Sequence, residues 1–456
     1  MSIEHKKVLT AEMAEEVAAL LSSGETEGIR EVISPLHATE LASLLEGLSE
    51  DSALSVFKLL QHESASEVLL ELSGSLREHL LEYVANEDLA NIVGEMATDD
   101  ATDVVSELSD EDAKDVLDGM EWRDSIVVQK LLKYPEDTAG GKMQAELVKV
   151  EETASVRDTI EEVRKRSEDV ENIACVFVVD SDGRLDGTVA LDKLILAKED
   201  CRINEIVNRA AIRVSTDVDQ EEVARIFQKY DLISLAVVDD KKRLVGRITV
   251  DDMVDVIEEE IFEDFYRMAS LNTDERATDS PLRSFRMRSP WLLLNLLTAF
   301  IAASVVKLFE GTIESFVILA VLMPVVAGLG GNAATQTITV IIRGLALREL
   351  ELSSARKVLF KEVAVGLANG MLVGVVGGVV AYLLGANFII GVLLFLAMTA
   401  NLVIAGLAGS VIPLILRWFK ADPALSASIF VTAFTDVGGF FTFLGLAALF
   451  MNLGIL

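Results

Sequence analysis

The sequence predicts a multidomain membrane protein, with an α-superhelical N-terminal domain, a repeated α/β pair, a connecting helix and a five-helix transmembrane domain. Three observations carry this prediction. The 456-residue chain has a formal net charge of −33, yet residues 281–456 hold 11 Lys and Arg against 7 Asp and Glu. Apolar runs long enough to cross a bilayer occur only in that last part. Two different internal repeats precede it.

The first repeat has a period of twelve residues. Positions 36, 48, 60, 72, 84, 96, 108 and 120 read Leu, Leu, Leu, Leu, Val, Met, Leu and Met, and the positions three residues earlier are also apolar. This period fits one short helix and one polar turn per repeat, and such a helix buries its apolar stripe only by stacking on its neighbours. We therefore predict an acidic superhelical domain over residues 1–132, in which most acids are solvated helix caps.

The second repeat has an offset of 59 residues. Residues 178–187 align with residues 237–246, and each copy reads as a buried strand, a turn and a second strand before an acid-started helix. The pattern resembles a pair of CBS motifs, a cytosolic regulatory α/β module. It predicts tandem CBS domains over residues 133–262, with copies near 143–202 and 203–262.

The CBS resemblance also implies a candidate nucleotide site. In that family, a Thr/Ser-x-x-Asp step after the second strand often contacts an adenosine ribose. Thr249 and Asp252 fit this step in the second copy, whereas Ala190 and Lys193 replace them in the first. ATP is therefore a candidate ligand of the second copy alone.

Residues 251–264 carry eight acids and no base. On a helix Asp252, Asp255 and Glu259 share one face, and like charges at that spacing repel by about 1–4 kcal/mol per close pair. Two interpretations stay open: a solvated amphipathic helix, or a divalent-cation site completed by acids of the twelve-residue repeats. We assign residues 251–280 to a helix that connects the regulatory domains to the membrane domain.

The last part of the chain, residues 281–456, contains five candidate membrane spans. They lie near residues 291–309, 316–342, 363–385, 388–415 and 427–453. Basic residues precede the first span and follow the second and fourth, so the positive-inside rule predicts a cytosolic N-terminal part and an external C-terminus. No apolar run follows Met1, and we expect no signal peptide. Cys175 and Cys201 have no CxxC spacing and fit reduced thiols in the cytosolic part.

Asp436 stands alone in the last span. At about 1.5 Å per residue from Ala427, its carboxylate is expected roughly 15 Å deep in a ~30 Å hydrocarbon core. A carboxylate there costs at least ~2.5–3.5 kcal/mol unless it faces water, a partner or an ion. No base lies at comparable depth in a predicted span. A cation is therefore its simplest partner.

The second span contains residues that interrupt helices. Pro324 is followed by Gly328-Leu329-Gly330-Gly331-Asn332. We expect a broken helix whose carbonyls line a pore, with close helix packing through small residues as the alternative. For the glycines of the third span, Gly374, Gly377 and Gly378, we expect close packing.

The helical repeats, the CBS pair, the acidic connecting helix and the five spans follow one another as in the MgtE family of magnesium channels, sometimes called transporters. The chain resembles that family over nearly its whole length. The most specific pieces are residues 134–143 (Tyr-Pro-Glu-Asp-Thr-Ala-Gly-Gly-Lys-Met), residues 324–336, Asp422-Pro423-Ala424-Leu425, and Thr435-Asp436-Val437-Gly438-Gly439. Two positions depart from the family pattern. A hydrophobic residue usually stands where this chain has Lys142, and some members have Asn in place of Thr335.

The resemblance implies a homodimer in the cell (inner) membrane whose pore lies on the two-fold axis. Two copies of Asp436 would face each other there and hold Mg²⁺ through its water shell, because Mg²⁺ gives up water reluctantly. The pore positions implied are Asp436, Gly328, Gly331, Gly439 and Asn332.

The resemblance further implies a cytosolic magnesium sensor, in which Mg²⁺ bridges acids of the regulatory domains and keeps the pore shut. The matching positions are Asp252, Asp255, Glu260, Glu263, Asp264, Asp99, Asp100, Asp103 and Asp422. The register of the solenoid acids is open by one repeat. Asp422 before Pro423 equally fits an ordinary helix N-cap.

The predicted function is uptake of Mg²⁺ by a Mg²⁺-selective, Mg²⁺-gated channel. The alternatives are a proton-coupled divalent-cation transporter and a membrane-bound sensor without transport. Proton relays usually need further ionisable groups at depth, and none is expected here. The acidic regulatory part excludes nucleic acid as a partner. No nucleophile–base pair, phosphate loop or His-containing metal motif indicates an enzyme.

Overall fold

The computed structural model describes residues 3–456 except 73, 168, 171, 274, 278, 347–348, 351–353, 420–421 and 423–426. The chain divides into two compact units, Met1–Glu260 and Ile261–Leu456. Short helices and two small sheets build the first unit, and long apolar helices build the second.

The first unit begins with a series of helices that, after the first, start every twelve residues. They are α1 Ile3–Ser23, α2 Thr26–Ile33, α3 Ala38–Glu46, α4 Glu50–Phe57, α5 His62–Glu71, α6 Gly74–Tyr83, α7 Asn86–Gly94, α8 Thr98–Ser106, α9 Asp110–Gly119 and α10 Trp122–Leu131. Helices α1, α3, α5, α7 and α9 form one row in which each contacts the next, while α4 packs on α6 and α8 on α10. The periodic apolar positions Leu45, Phe57 and Leu69 are buried in one core. The predicted superhelix is confirmed.

Two three-stranded sheets of identical topology follow. The strands are β1 Lys149–Glu151, β2 Cys175–Val179, β3 Leu185–Ala190, β4 Arg213–Ser215, β5 Ser234–Val238 and β6 Leu244–Thr249. In each sheet the first strand runs parallel to the second, and the second antiparallel to the third. Helices α11 Val156–Arg166, α12 Leu191–Leu196, α13 Ile203–Ile206 and α14 Gln220–Tyr230 complete the pair. The predicted repeat of α/β units is confirmed.

The acidic helix, α15, spans Val250–Met268 and passes from the first compact unit into the second. We predicted a connecting helix over residues 251–280, and this prediction is wrong at its C-terminal end, because the helix stops at Met268. The chain leaves the helix at Ser270, whose φ is +57°, and Leu271 N–H donates back to Tyr266 O at 2.9 Å. A left-handed residue followed by such a return bond is a usual way for a helix to end.

The second unit contains α16 Pro281–Leu308, α17 Glu310–Ser315, α18 Ile318–Ala346, α19 Ala355–Leu383, α20 Phe388–Trp418 and α21 Ala427–Asn452. Among the described residues, all of these but α17 are long and apolar enough to cross a membrane. Helix α20 lies at the centre and contacts α18, α19 and α21. A Cβ on Gly374 or Gly378 of α19 would lie 2.9 or 2.8 Å from a carbonyl oxygen of α20. The expected close packing of the third span is confirmed.

Helix α18 is unbroken, so the expected break in the second span is wrong. Pro324 and the following glycines lie inside continuous helix. A broken backbone facing hydrocarbon would leave polar groups unsatisfied at several kcal/mol each, whereas a glycine inside a helix costs only about 1 kcal/mol. The carbonyls expected to be bare are therefore helical, and Gly331 O also accepts a bond from Thr335 Oγ1 at 3.1 Å.

Candidate functional site

One face of α18 is polar and exposed. Gly328, Asn332, Thr335, Gln336 and Thr339 are all exposed and fall on one side of the helix at spacings of four, seven, eight and eleven residues. A side chain added at Gly328 would meet nothing within 4 Å. Within the second unit, this face is uncovered.

Asp436 lies in the middle of α21 and is half-buried. Among the described residues it forms no ion pair. Its neighbour Thr435 is fully buried and donates its hydroxyl to Thr432 O at 2.9 Å within the same helix. The carboxylate is therefore the one acidic side chain on this helix and has no basic partner in the described part of the chain.

Asn401 is a buried polar residue that the sequence reasoning missed. It lies in the middle of α20 with no exposed surface, and its Nδ2 donates to Val326 O of α18 at 2.8 Å. A polar amide in the middle of a long apolar run is the signal that could have found it, since such groups form hydrogen bonds between neighbouring membrane helices.

Glu362 is an ionisable residue among the helices of the second unit that the sequence reasoning missed. Its carboxylate, 6% exposed, is 2.8 Å from Lys361 Nζ and accepts a bond from Thr337 Oγ1 at 3.3 Å. These three residues, with Gln336 and Asn369, line a cavity of about 220 Å³ among α18, α19 and α20. The residue was missed because α19 begins at Ala355, before the predicted third span.

In the first unit, Asp99 and Asp100 of α8 lie close to Asp252 of α15. Asp99 is 7% exposed, and burial, followed by the charges of Asp252 and Asp100, raises its pKa well above the usual value. Burial and the charges of Asp252 and Asp103 raise the pKa of Asp100 to about 7. Burial and Asp251 raise the pKa of Asp252, against a lowering bond from Thr249. These carboxylates destabilise one another when charged.

Hydrogen bonds hold α8 against the start of the CBS pair. Thr98 Oγ1 donates to Glu146 Oε2 at 2.7 Å, and Gln144 Nε2 donates to Asp99 Oδ2 at 3.3 Å. The same Gln144 accepts two bonds from the buried Arg247 guanidinium, at 3.0 and 2.7 Å. The solenoid acids are thus connected to the second CBS sheet through groups that sequence reasoning did not identify.

Asp103 lies at the edge of this acidic region and has a basic partner. Its Oδ2 is 3.8 Å from Lys142 Nζ. Burial raises the pKa of Asp103, Lys142 opposes this rise, and the charges of Glu136 and Glu259 add to it. Lys142 is thus a basic group at the edge of the acidic region.

The other predicted sensor acids lie in separate surroundings. Asp255 is exposed, and Glu260 accepts a bond from Gln220 Nε2 of α14 at 2.7 Å. In the second unit, Glu263 and Asp422 both pair with Arg267, and Asp264 is half-buried. The N-cap interpretation of Asp422 depends on residues 423–426, which lie outside the described residues.

The geometry of these acidic groups bears on whether they can hold a metal ion or a nucleotide. No cluster of three or more His, Cys, Asp or Glu side chains in the described residues is compact enough to hold a metal directly. Mutually repelling carboxylates whose pKa values are raised nevertheless fit a hard cation that keeps its water, because such an ion relieves the repulsion without close contact. Thr249 Oγ1 donates to Asp252 Oδ2 at 2.5 Å, so the two side chains expected to contact a ribose are hydrogen-bonded to each other.

Comparison with known proteins matches both units. Residues 323–446 match a family model described as a divalent cation transporter (MgtE), and residues 36–137 match the MgtE intracellular N domain. Residues 140–200 and 203–259 match the CBS domain. The magnesium transporter MgtE of Thermus thermophilus is 34% identical over 451 residues, which covers 95% of this chain and 97% of that protein. That of Bacillus subtilis is 28% identical over 96% and 97%.

Two solved structures are similar to the first part of the chain. One is the cytosolic domain of the Mg²⁺ channel MgtE in complex with ATP, at 36% identity and a TM-score of 0.51 over 53% of this chain and 99% of that one. The other is the soluble part of a magnesium transporter, at 26% identity and a TM-score of 0.50 over 55% and 99%.

Proposed function

The chain belongs to the MgtE family of magnesium transporters, and we propose that it conducts Mg²⁺ as a channel that cytosolic Mg²⁺ closes. Its transport of Mg²⁺ is the premise. The proposal concerns the path of the ion, the assembly around it and its control.

The exposed polar face of α18 is the observation that carries the proposal. Lipid would leave the Asn332 amide without partners, and an exposed polar side chain at membrane depth usually faces a protein or a water-filled space. Gly328 and Gly331 leave open space beside this face. We assign the path to α18 together with Gly439 and Asp436 of α21, where the carboxylate attracts the cation.

A homodimer would cover this face and place two Asp436 carboxylates about one axis. Two carboxylates that do not coordinate the ion directly can hold Mg²⁺ through its bound water, since dehydration of Mg²⁺ is unfavourable. The conducting unit would thus be formed by two copies in a lipid bilayer.

The acidic region at α8 and α15 supports the proposed control. Asp99, Asp100 and Asp252 destabilise one another when charged, and bound Mg²⁺ would remove this repulsion and hold the solenoid against the CBS pair. Asp103, Asp255 and Glu260 would extend the same cation-binding surface. Because α15 continues into the second unit, its immobilisation is a direct route to the membrane helices.

A nucleotide is a further candidate regulator. A similar cytosolic domain has been solved with ATP, and this chain keeps Thr249 and Asp252 in its second CBS copy. ATP binding here would require the bond between these two side chains to open.

Glu362 gives the alternative of proton coupling a specific group. A buried carboxylate beside a cavity among membrane helices can exchange protons with bulk water. Under that alternative, Asp436 and Glu362 would bind protons and cations in turn.

Mg²⁺ flux into proteoliposomes tests the proposed path. We expect Asp436→Asn to lower the Mg²⁺ flux at least tenfold relative to the wild type. The variant should still insert into the bilayer and elute at its normal size. For the wild type, we expect the Mg²⁺ flux to depend on membrane voltage and to stay unchanged when a pH gradient of one unit is imposed. Wild-type flux in Asp436→Asn contradicts the assigned path, and flux driven by the pH gradient contradicts the channel.

A further inference from the structure

Asn401 occupies a contact between three membrane helices. Its carboxamide belongs to α20, its Nδ2 donates to Val326 O of α18 at 2.8 Å, and its side chain is fully buried. Its Oδ1 has no hydrogen-bond partner in the described part of the chain. A buried amide with one unused acceptor weakens a core, so its place in a helix of Leu, Val and Ala calls for a role.

Two glycines make room for this amide. A Cβ on Gly330 of α18 would lie 2.2 Å from Asn401 Nδ2, and a Cβ on Gly439 of α21 would lie 2.8–2.9 Å from three atoms of the same carboxamide. Neither backbone can accept a larger residue without displacing Asn401. The carboxamide therefore sets the distance from α20 to both helices.

Gly330 and Gly439 adjoin the groups assigned to the ion path. Gly330 stands between Gly328 and Gly331, and Gly439 follows Asp436 by three residues, on the same side of α21. We propose that Asn401 is a positioning residue of the pore, which keeps α18 and α21 at the separation that a hydrated Mg²⁺ requires. This inference rests on the proposed path through α18 and α21.

Substitution of Asn401 by Leu keeps the number of side-chain heavy atoms and the branch at Cγ, and it removes the amide. In proteoliposomes with full-length protein, we expect Asn401→Leu to lower Mg²⁺ flux at least fivefold and to raise the Ca²⁺-to-Mg²⁺ flux ratio at least threefold. A residue that served folding alone would lower both fluxes in proportion to the folded protein and leave the ratio unchanged. Ser410→Ala is the control, because Ser410 is equally buried on α20 but bonds only to Gly406 O of its own helix, at 2.7 Å.

A suppressor pair tests the contact if Asn401→Leu fails to fold. Gly330→Ala alone should lose flux because its methyl group meets the amide, and Gly330→Ala with Asn401→Ala should recover at least threefold over Gly330→Ala. An unchanged flux ratio in Asn401→Leu, or no recovery in the pair, overturns the proposal. Asp436→Asn is measured beside them: wild-type flux in that variant rejects the path itself, independently of Asn401.

Discussion

Lys142 shows how one residue can alter the balance of the acidic region. Its ammonium is the basic partner of Asp103, and it opposes the charges of Glu136 and Glu259 beside that carboxylate. In metal-free conditions a tethered cation stabilises the contact between solenoid and CBS pair, at the 0.2–1 kcal/mol typical of partly exposed pairs.

Replacement of Lys142 should therefore weaken that contact when no Mg²⁺ is present. We expect Lys142→Leu to speed amide hydrogen exchange in α8 by about 1.5- to 5-fold in EDTA, the range that 0.2–1 kcal/mol gives. Lys142→Arg keeps the charge and should behave as the wild type, and saturating Mg²⁺ should remove the difference. Equal exchange in Lys142→Leu and wild type in EDTA would mean that the ion pair contributes nothing.

Asn401 and Glu362 show which side chains a single sequence does not assign. Both lie in long apolar helices, and their importance depends on neighbours distant in the chain: Val326 for Asn401 and Thr337 for Glu362. Asp436 was predicted because an isolated carboxylate in an apolar run is conspicuous without any neighbour. A neutral or edge-lying polar residue whose partner belongs to another helix gives a weaker signal.

At the scale of elements, periodicity was the dependable guide. The twelve-residue spacing predicted one short helix per repeat, and α2 to α10 do begin every twelve residues, because each helix must present the same apolar positions to the next. The break expected in α18 was wrong, since local helix-breaking residues were weighed without the requirement that backbone groups in hydrocarbon stay bonded. The end of α15 at Met268 was also missed, because a charge pattern does not mark a terminus.

The contact between α8 and α15 should depend on pH. The raised pKa of Asp100, about 7, means that the folded contact holds a proton that the separated helices release. Its stability is therefore highest in acid and falls as the pH rises from about 4 to 7 in the absence of metal. The proposed regulatory Mg²⁺ would bind the charged form, so it should compete with this proton.

We expect Mg²⁺ added to the metal-free, full-length protein to release protons at pH 6.5 and almost none at pH 8.5. The apparent affinity for Mg²⁺ should rise between these values. Asp100→Asn should lower the release, and the rest would come from Asp99 and Asp252, whose pKa values are also raised. A pH-stat titration measures it, and release in Asp100→Asn equal to that of the wild type would assign the proton to another group.

At the scale of the whole molecule, the second unit leaves a polar helix face uncovered in the membrane. Gly328, Asn332 and Thr339 are exposed on α18, whereas Leu372 and Val376 of α19 are exposed and apolar, as lipid requires. The difference supports our proposal that protein or water, rather than lipid, faces this side of α18. A second copy of the chain satisfies this condition with the same surface on both sides.

Cross-linking tests this assembly, because the sequence contains only Cys175 and Cys201 and both can be replaced. On that background, we expect Asn332→Cys to give covalent dimers with a short bis-maleimide in native membranes, since the two copies of α18 would face one axis. Leu372→Cys, on the apolar face, should stay monomeric under the same conditions. If both positions stay monomeric and light scattering gives the mass of one chain, the dimer is wrong. The partner of Asp436 would then have to come from the same chain. That chain alone would also have to enclose the ion path assigned to α18.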